Sequence, residues 1–540
     1  METFSSAQKE SWLSWFLKGI LFLGFFILLA RAIELQIIKG SYYRDLAEGN
    51  RLRTIVIPAP RGQILDRNGK VLVDNKMDYF NFTLTPKLSM EAKKADSPNE
   101  ESIAIWTRHY PLGEKFAHVS GYLGEVNSKE VGKVNPQCKE KGVRKLGSMV
   151  GRGGLEEYYD CLLRGIDGEE LLEVDTFGKK IRTFARKNPK NGQDLTTTID
   201  IGLQNAVSLR LTGKRGAIVA SDPNGEILAI YSSPSYDPNL FASSENQNKN
   251  KLQSILDDKS MPLFNRAISG LYHPGSIFKM VTATAALESK VIDKDFTYED
   301  KGIIIVNDFS YTNWYFTQYG RTEGIINLPR AIARSTDTFF YNLGELTGID
   351  TIVEWAKNFG LNEKTGIDLV SESKGLVPSL EWKKAVIGER WFLGNTFHVA
   401  IGQGDLLVTP LAANMAVAAL IKGELCVPHI NADIEKSCKS LAISKENLEI
   451  IKEGMKGACS QGGTAYPFFD FTPEVACKTG TAETSKEDTT HAWFTVYAPI
   501  DNPEIVLTIL VEEGGEGSSE AAPIARDILE YWFRRKSNEN

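Results

Sequence analysis

The chain has 540 residues, 42% apolar and 24% charged, with a formal net charge of −7. That length exceeds one compact core, so two or three domains are expected; the composition is that of a mainly globular protein, and the charge leaves no basic footprint for nucleic acid. The histidines are dispersed, and Cys138, Cys161, Cys426, Cys438, Cys459 and Cys477 form no Cys-x-x-Cys, so the spacing predicts neither a metal site nor a disulfide framework.

Trp12 to Ala30 is apolar apart from Ser14 and Lys18, long enough for a membrane helix of about 20 residues. Lys18 can snorkel to one interface. Ala30-Arg31-Ala32 resembles the cleavage site of a secretory signal, but the apolar stretch runs past both sides of a short signal core. A retained anchor over residues 12–32 is expected, behind a short cytoplasmic tail at 1–11. Basic residues flank both sides: Lys9 and Lys18, then Arg31, Lys39, Arg44, Arg51 and Arg53. Counted literally, they would keep the C-terminal bulk in the cytoplasm.

Leu35 to Arg53 reads as an amphipathic helical exit and Ile55 to Pro60 as extended. Asn68-Gly69, between Ile64-Leu65 and Val71-Leu72-Val73, signals a hairpin, with Arg61, Asp66 and Arg67 as an ion-pair network around it. Glu91 to Glu101 is polar and reads as an exposed linker. Gly151-Arg152-Gly153-Gly154-Leu155-Glu156 precedes a short helix ending near Leu163-Arg164-Gly165. It lacks the preceding strand and the Lys-Ser/Thr of a phosphate loop, so it reads as a packing turn. Asp194 to Ile199 is extended and Gly202 to Leu211 helical, the start of a new domain. Ala217 to Ala220 and Ile227 to Ile230 read as strands joined by Asp222-Pro223-Asn224-Gly225. Helical patterns dominate from Ser276 to about Leu420, and strands return around Lys478. One antiparallel sheet flanked by helices makes this an α+β domain.

The chemistry centres on His273-Pro274-Gly275-Ser276-Ile277-Phe278-Lys279. Ile277, Met280, Val281, Thr284 and Leu287 give the run a helical period, so Ser276 and Lys279 share a face. Pro274-Gly275 puts Ser276 at the helix N-terminus, where free N–H groups favour an oxyanion. A serine, a neighbouring base and an oxyanion site are the parts of an acyl-transfer enzyme. Ser335-Thr336-Asp337 and Lys478-Thr479-Gly480-Thr481 follow. Lys478 comes after Val475-Ala476-Cys477 and before two β-like runs, His491 to Tyr497 and Ile505 to Val511, which places it on a strand. Cys477 beside it reads as a small buried strand residue. Ser371-Glu372-Ser373-Lys374 and Lys364-Thr365-Gly366 match the same motifs by letters, but they sit in polar, turn-like surroundings and read as surface. Cys426 and Cys438 are left as a pair that an oxidising compartment could join.

The trio Ser-x-x-Lys, Ser-x-Asp and Lys-Thr-Gly resembles that of serine penicillin-recognising enzymes. With the anchor, Arg61-Gly62…Asp66-Arg67-Asn68-Gly69, Gly153-Gly154-Leu155-Glu156 and Gly402-Gln403-Gly404 in the same order, nearly the whole chain resembles a class B penicillin-binding protein. Ser-x-Asp in place of Ser-x-Asn resembles the elongation-specific branch rather than the septal one. The resemblance implies a membrane helix, an elongated β-rich pedestal over about 50–190 and a transpeptidase domain, serine β-lactamase-like, over 195–536. It implies a serine-type D-Ala-D-Ala transpeptidase or carboxypeptidase that acts on peptidoglycan stem peptides and is acylated by β-lactams. No cofactor, metal or nucleic acid is expected. Its partners would be a membrane glycosyltransferase of the RodA-like SEDS family and the elongation machinery. The protein would be a single-pass protein of the bacterial inner membrane with its catalytic domain in the periplasm, which overrides the literal charge count.

By this resemblance Ser276 is the nucleophile, neutral Lys279 its base with Lys478 as the cation lowering its pKa, and Ser335 a proton relay that can also cap a helix. Asp337 holds the substrate or Lys279. Lys478, Thr479 and Thr481 bind the substrate carboxylate, Gly480 leaves room for it, and the N–H groups of Ser276 and Thr481 form the oxyanion hole. Tyr311, Trp314, Tyr315 and Phe316 line a groove or pack the core; His491 is a packed strand residue; Gly402-Gln403-Gly404 is a structural turn. Two departures stand out: Asn75 to Gly151 is short for the family, and Asn313 to Arg334 lacks the Cys and His that some relatives use for zinc. The alternatives are a septal transpeptidase, a β-lactamase, and a non-catalytic β-lactam sensor or allosteric partner of the glycosyltransferase.

Overall fold

The computed structural model describes residues 12–84, 90–94, 97, 102–174, 180–242 and 246–539. The expected tail, 1–11, lies outside them. The chain divides into two compact units. One holds the residues up to Pro60 with Met77–Trp106 and Ile166–Lys190; the other holds Arg61–Lys76, Thr107–Gly165 and everything from Asn191.

In the first unit the helix Trp12–Ile33 buries no residue. The span Trp12–Ile38 has a mean hydropathy of 2.1 and is long and apolar enough to cross a membrane, since a helix satisfies its own backbone polar groups in lipid. Strand Leu52–Ile57 pairs antiparallel with Gly168–Val174, which pairs with Lys180–Lys187. Ile55, Leu172 and Val174 form its small apolar core. Met90–Lys94 is a strand paired with the far end of Val71–Leu84. The linker expected over Glu91 to Glu101 therefore begins as sheet: charged residues are usual in a strand at a sheet's edge. Residues 95–96 and 98–101 of that stretch lie outside the described residues.

In the second unit one five-stranded antiparallel sheet separates two helical layers. Its elements are α1 (Ile201–Arg210), β1 (Gly216–Ser221), β2 (Ile227–Ser233), α2 (Lys279–Glu288), α3 (Leu328–Arg334), α4 (Asp337–Thr347), α5 (Pro410–Lys422), α6 (Lys445–Ala458), β3 (Ala476–Glu483), β4 (Thr490–Ala498), β5 (Ile505–Val511) and α7 (Ala522–Glu539). The strand order is β2-β1-β5-β4-β3. Period-two alternation sorts the side chains: Ala217, Val219, Trp493 and Leu510 pack on the face of α2 and α5, whereas Ile218, Phe494, Leu507 and Ile509 pack on that of α1 and α7. With both faces covered, the strands look continuously apolar in sequence. Helices α2 and α5 are buried on nearly all sides, as expected for apolar helices without a polar face. Asn414 of α5 satisfies its buried amide with Ser221 Oγ (2.7 Å) and Thr508 Oγ1 (3.2 Å).

Three expectations are corrected here. Arg61, Asp66 and Arg67 are not one network. Arg61 is buried on Glu156 and Asp160, at 2.9 Å each; Asp66 accepts Asn68 N and Lys70 N inside its turn; Arg67 reaches Glu226 at 3.4 Å. Spacing could not reveal Glu156 as the shared partner of Arg61 and Arg108, the latter at 2.6 Å. The cysteines are joined as Cys138–Cys161, Cys426–Cys438 and Cys459–Cys477, so Cys477 is buried but not merely a packing residue. Finally, the helical stretch after α2 is interrupted by the four-residue strands Thr297–Asp300, Ile303–Val306, Phe309–Thr312 and Gly324–Asn327. Gly154 does behave as a packing residue: a Cβ there would lie 2.3 Å from Val119 O.

Candidate active site

Gly275 turns with φ +56°, and a Cβ on it would lie 2.8 Å from Thr481 O. A 3₁₀ turn, Gly275–Phe278, follows, and α2 begins at Lys279. Ser276 is partly exposed on a cleft of about 650 Å³, whereas Lys279 is fully buried behind it. Gly402 holds the serine turn from the other side. It accepts Gly275 N at 2.9 Å, and a Cβ on Gly402 would stand 2.1 Å from Gly275 O. The Gly402-Gln403-Gly404 turn thus braces the serine, and Gln403 also lines the cleft.

Helix α3 ends on Ser335, held left-handed at φ +55°, with Thr336 N closing back on Ala331 O at 3.0 Å. A serine in that conformation is uncommon and stores strain. Its hydroxyl caps no helix, contrary to the cap role expected for it; the N-cap of α4 is Thr336. Instead Ser335 Oγ accepts Lys279 Nζ at 3.1 Å and Lys478 Nζ at 2.8 Å. Lys279 also donates to Ser335 O at 2.9 Å and Asp337 Oδ1 at 2.7 Å, and Lys478 to Thr479 O at 3.0 Å. Three distant segments therefore meet at one hydroxyl.

Both lysines are fully buried. Burial pushes Lys279 below the ordinary lysine range, against the upward pull of Asp337. Burial pushes Lys478 well below it; the charge of Lys279 pushes the same way, and Asp337 opposes. Among the described residues, no carboxylate lies within ion-pair distance of Lys478, whereas Lys279 has Asp337. Both amines touch the same hydroxyl, and the carboxylate beside Lys279 favours its protonated form over that of Lys478.

On β3, Thr479 and Thr481 line the cleft, and Thr479 Oγ1 bonds Thr464 Oγ1 at 2.9 Å. Gly480 also has a packing reason to be glycine. A Cβ there would come within 2.9 Å of Trp493 Cβ and 3.3 Å of Ile277 Cγ2, so the glycine lets the serine turn pack on the strand. The aromatic cluster splits: Trp314 lines the cleft and donates Nε1 to Arg334 O at 2.9 Å, while Tyr311 packs on Phe397 and Phe316 against Gly302. His491 accepts Glu513 N and rests on the Tyr272 ring.

The two look-alike motifs lie outside the cleft lining and are joined to each other. Buried Glu372 accepts Thr365 N at 2.7 Å and Thr365 Oγ1 at 2.6 Å, so that stretch is not wholly surface. Sequence reasoning missed Thr464, Tyr466 and Phe469 in the cleft wall, and Asn313 and Asp300 behind Asp337. Only the Gly462-Gly463 pair hinted at the first group.

Residues 216–530 match the penicillin binding protein transpeptidase domain, and residues 56–100 and 88–197 the penicillin-binding protein dimerisation domain. "Peptidoglycan D,D-transpeptidase MrdA" of Acinetobacter baumannii is 32% identical over 97% of this chain and 88% of its own length. The chain belongs to the penicillin-binding protein 2 family. The MrdA protein of Escherichia coli K12 is 31% identical over 94% of this chain and 91% of its own length. In this family the fold recurs in solved structures. The penicillin-binding protein 2 of Pseudomonas aeruginosa, in complex with WCK 5153, aligns with a TM-score of 0.73 at 31% identity, covering 89% of this chain and 96% of that one. That of Helicobacter pylori, in complex with MreC, aligns at 0.77 and 27% identity, covering 89% and 99%.

Proposed function

We propose that this protein is a membrane-anchored peptidoglycan D,D-transpeptidase of cell elongation, working through a serine acyl-enzyme on Ser276. The observation that carries it is the convergence of Lys279 and Lys478 on the hydroxyl of Ser335 beside Ser276. Lys478, Thr479 and Thr481 receive the C-terminal carboxylate of a D-Ala-D-Ala stem peptide. That anion gives Lys478 the counter-ion it lacks, so a proton moves from Lys279 across Ser335 Oγ to Lys478. Neutral Lys279 takes the proton of Ser276 Oγ as it attacks the penultimate D-Ala carbonyl. The N–H groups of Ser276 and Thr481 stabilise the oxyanion. Ser335 then delivers its proton to the nitrogen of the departing D-Ala and takes in its place the proton that Lys279 received from Ser276. The amine of a second stem peptide attacks the ester, losing one proton, and restores the Ser276 hydroxyl; water in its place gives carboxypeptidase activity. A β-lactam follows the first half of this path and stays on the serine, its ring-opened remainder filling the acceptor's place.

We assign residues 12–32 to the anchor, 50–190 to the pedestal and 195–536 to the transpeptidase domain, with the catalytic domain outside the cytoplasmic membrane. The three disulfides support that side, because such bonds persist in oxidising compartments. This outweighs the basic residues beyond the anchor. A RodA-like SEDS glycosyltransferase and the elongation machinery are its partners in this reading. Support comes from the MreC complex of the Helicobacter pylori relative and from a similar structure described as "Structural coordination of polymerization and crosslinking by a peptidoglycan synthase complex", aligned at a TM-score of 0.76 and 29% identity over 95% of this chain and 97% of that one.

Intact-mass analysis after benzylpenicillin treatment, with peptide mapping, is the test. One stable adduct on the peptide carrying Ser276 is expected; rapid release of hydrolysed drug would mean a β-lactamase. A second expectation concerns the brace. Gly402→Ala places a Cβ against Gly275 O at φ +80°, and a misplacement of about 1 Å can cost about 100-fold in rate. Stopped-flow acylation by a fluorescent penicillin should fall by that order, with the adduct still on Ser276.

A further inference from the structure

Asp300 is 2% exposed, and among the described residues no lysine or arginine is paired with it. Its charge is held by four donors: Gly302 N (2.8 Å) and Thr338 Oγ1 (2.6 Å) on Oδ1, Asn313 Nδ2 (3.2 Å) and Glu323 N (2.8 Å) on Oδ2. Asn313 is fully buried and stands at the N-cap of the helix Trp314–Tyr319, yet its side chain does not cap that helix. This is unusual for an asparagine there. A carboxylate only accepts, so the amide nitrogen must face Asp300 and the amide oxygen the other way. That oxygen accepts Asp337 N at 3.2 Å, and the next residue, Trp314, donates its N–H to Asp337 Oδ2, also at 3.2 Å. Asp337 Oδ1 is left for Lys279 Nζ, 2.7 Å away.

We propose that Asp300 and Asn313 are positioning residues for acylation: together they fix the Asp337 carboxylate against the Lys279 amine. The inference rests on Ser276 and Lys279 being nucleophile and base. The groups facing Lys279 are Asp337 from α4, Lys478 from β3, the Ser335 hydroxyl and the Phe340 ring. Around Asp300, Glu323 is engaged by Arg334 and Arg330, and Glu299 by Lys301. None of these replaces the link through Asn313.

A carboxylate near an amine favours its charged form. Letting Asp337 drift lowers the pKa of Lys279, and the acid limb of the acylation profile moves to lower pH. The experiment is the pH dependence of penicillin acylation on the full chain in detergent, for Asp300→Asn and Asn313→Ala. Asn313→Ala removes the link while leaving Asp300 three donors, so it serves if Asp300→Asn is not soluble. Both variants should move the limb downward by about half a unit or more, cut the plateau rate about 10- to 100-fold and keep the adduct on Ser276. Thr338→Val removes one donor without touching Asn313 and should leave the limb in place. An unmoved limb with only a lower melting temperature, or an equal shift in Thr338→Val, overturns the inference. Loss of the Ser276 adduct from the unsubstituted protein would instead overturn the enzymatic reading.

Discussion

Ser276→Ala yields a folded protein that carries no covalent penicillin and makes no crosslinks. The side chain is partly exposed on the cleft and removing its hydroxyl leaves no buried cavity, so the melting temperature should stay within a few degrees. The turn that presents it is set by Gly275, Gly402 and the packing of Ile277, not by the hydroxyl. What disappears is the cleft hydroxyl carried by the 3₁₀ turn that leads into α2 and its buried Lys279. In a serine hydrolase, loss of the nucleophile costs on the order of 10⁶ in turnover, or about 8 kcal/mol of barrier. Non-covalent binding should survive, because Lys478, Thr479 and Thr481 remain. Gel fluorescence with a labelled penicillin and muropeptide analysis of cells relying on the variant are the measurements. A surviving label on Ser335 would move the nucleophile; unchanged crosslinking and viability would make the chain a binding partner rather than an enzyme. Rounded cells on depletion fit the elongation role, and filaments the septal one.

Local periodicity made the elements legible: the run from Ile277 to Leu287 announces a buried helix, and the strands after Lys478 place Lys-Thr-Gly on a sheet. The roles expected of Ser276, Lys279, Ser335, Asp337 and Lys478 came instead from the resemblance of the three motifs to those of penicillin-binding proteins. What was illegible depends on contacts between distant segments. Gly402 matters because Gly275 lies against it, Thr464 because it meets Thr479, and Asn313 because it spans Asp300 and Asp337. The disulfides close intervals of 23, 12 and 18 residues without a spacing motif. The short strands before α3 are four residues long, too brief for a period to register. Gly480 shows the limit from another side: the residue was recognised by its motif, but its close packing on Trp493 of the next strand was not visible in the sequence.

Lys279→Met should reduce acylation by about 10²- to 10⁴-fold, the usual contribution of a general base, and should flatten the acid limb of its pH profile. In the unsubstituted protein the rate rises as Lys279 loses its proton. An ordinary lysine would place that rise near 10.4; burial moves it lower, and Asp337 holds back part of the movement. Asp337→Asn removes the opposing anion, so its limb should lie lower still. Methionine keeps the volume of the side chain but cannot donate to Ser335 or Asp337. It leaves Asp337, which is partly solvent-exposed, without its cation, and relieves Lys478 of a neighbouring charge. Lys478 should then protonate more readily, so binding of an anionic substrate is retained while chemistry is lost: kcat falls with little change in KM, the signature of an interaction made in the transition state. The opposite split follows for Lys478→Met, where the carboxylate loses its anchor and KM rises. Equal pH profiles for the unsubstituted protein and Lys279→Met would show that the proton of Ser276 leaves by another route. The remaining acceptor in contact with the site would then be Lys478 acting through Ser335, since that hydroxyl touches both amines.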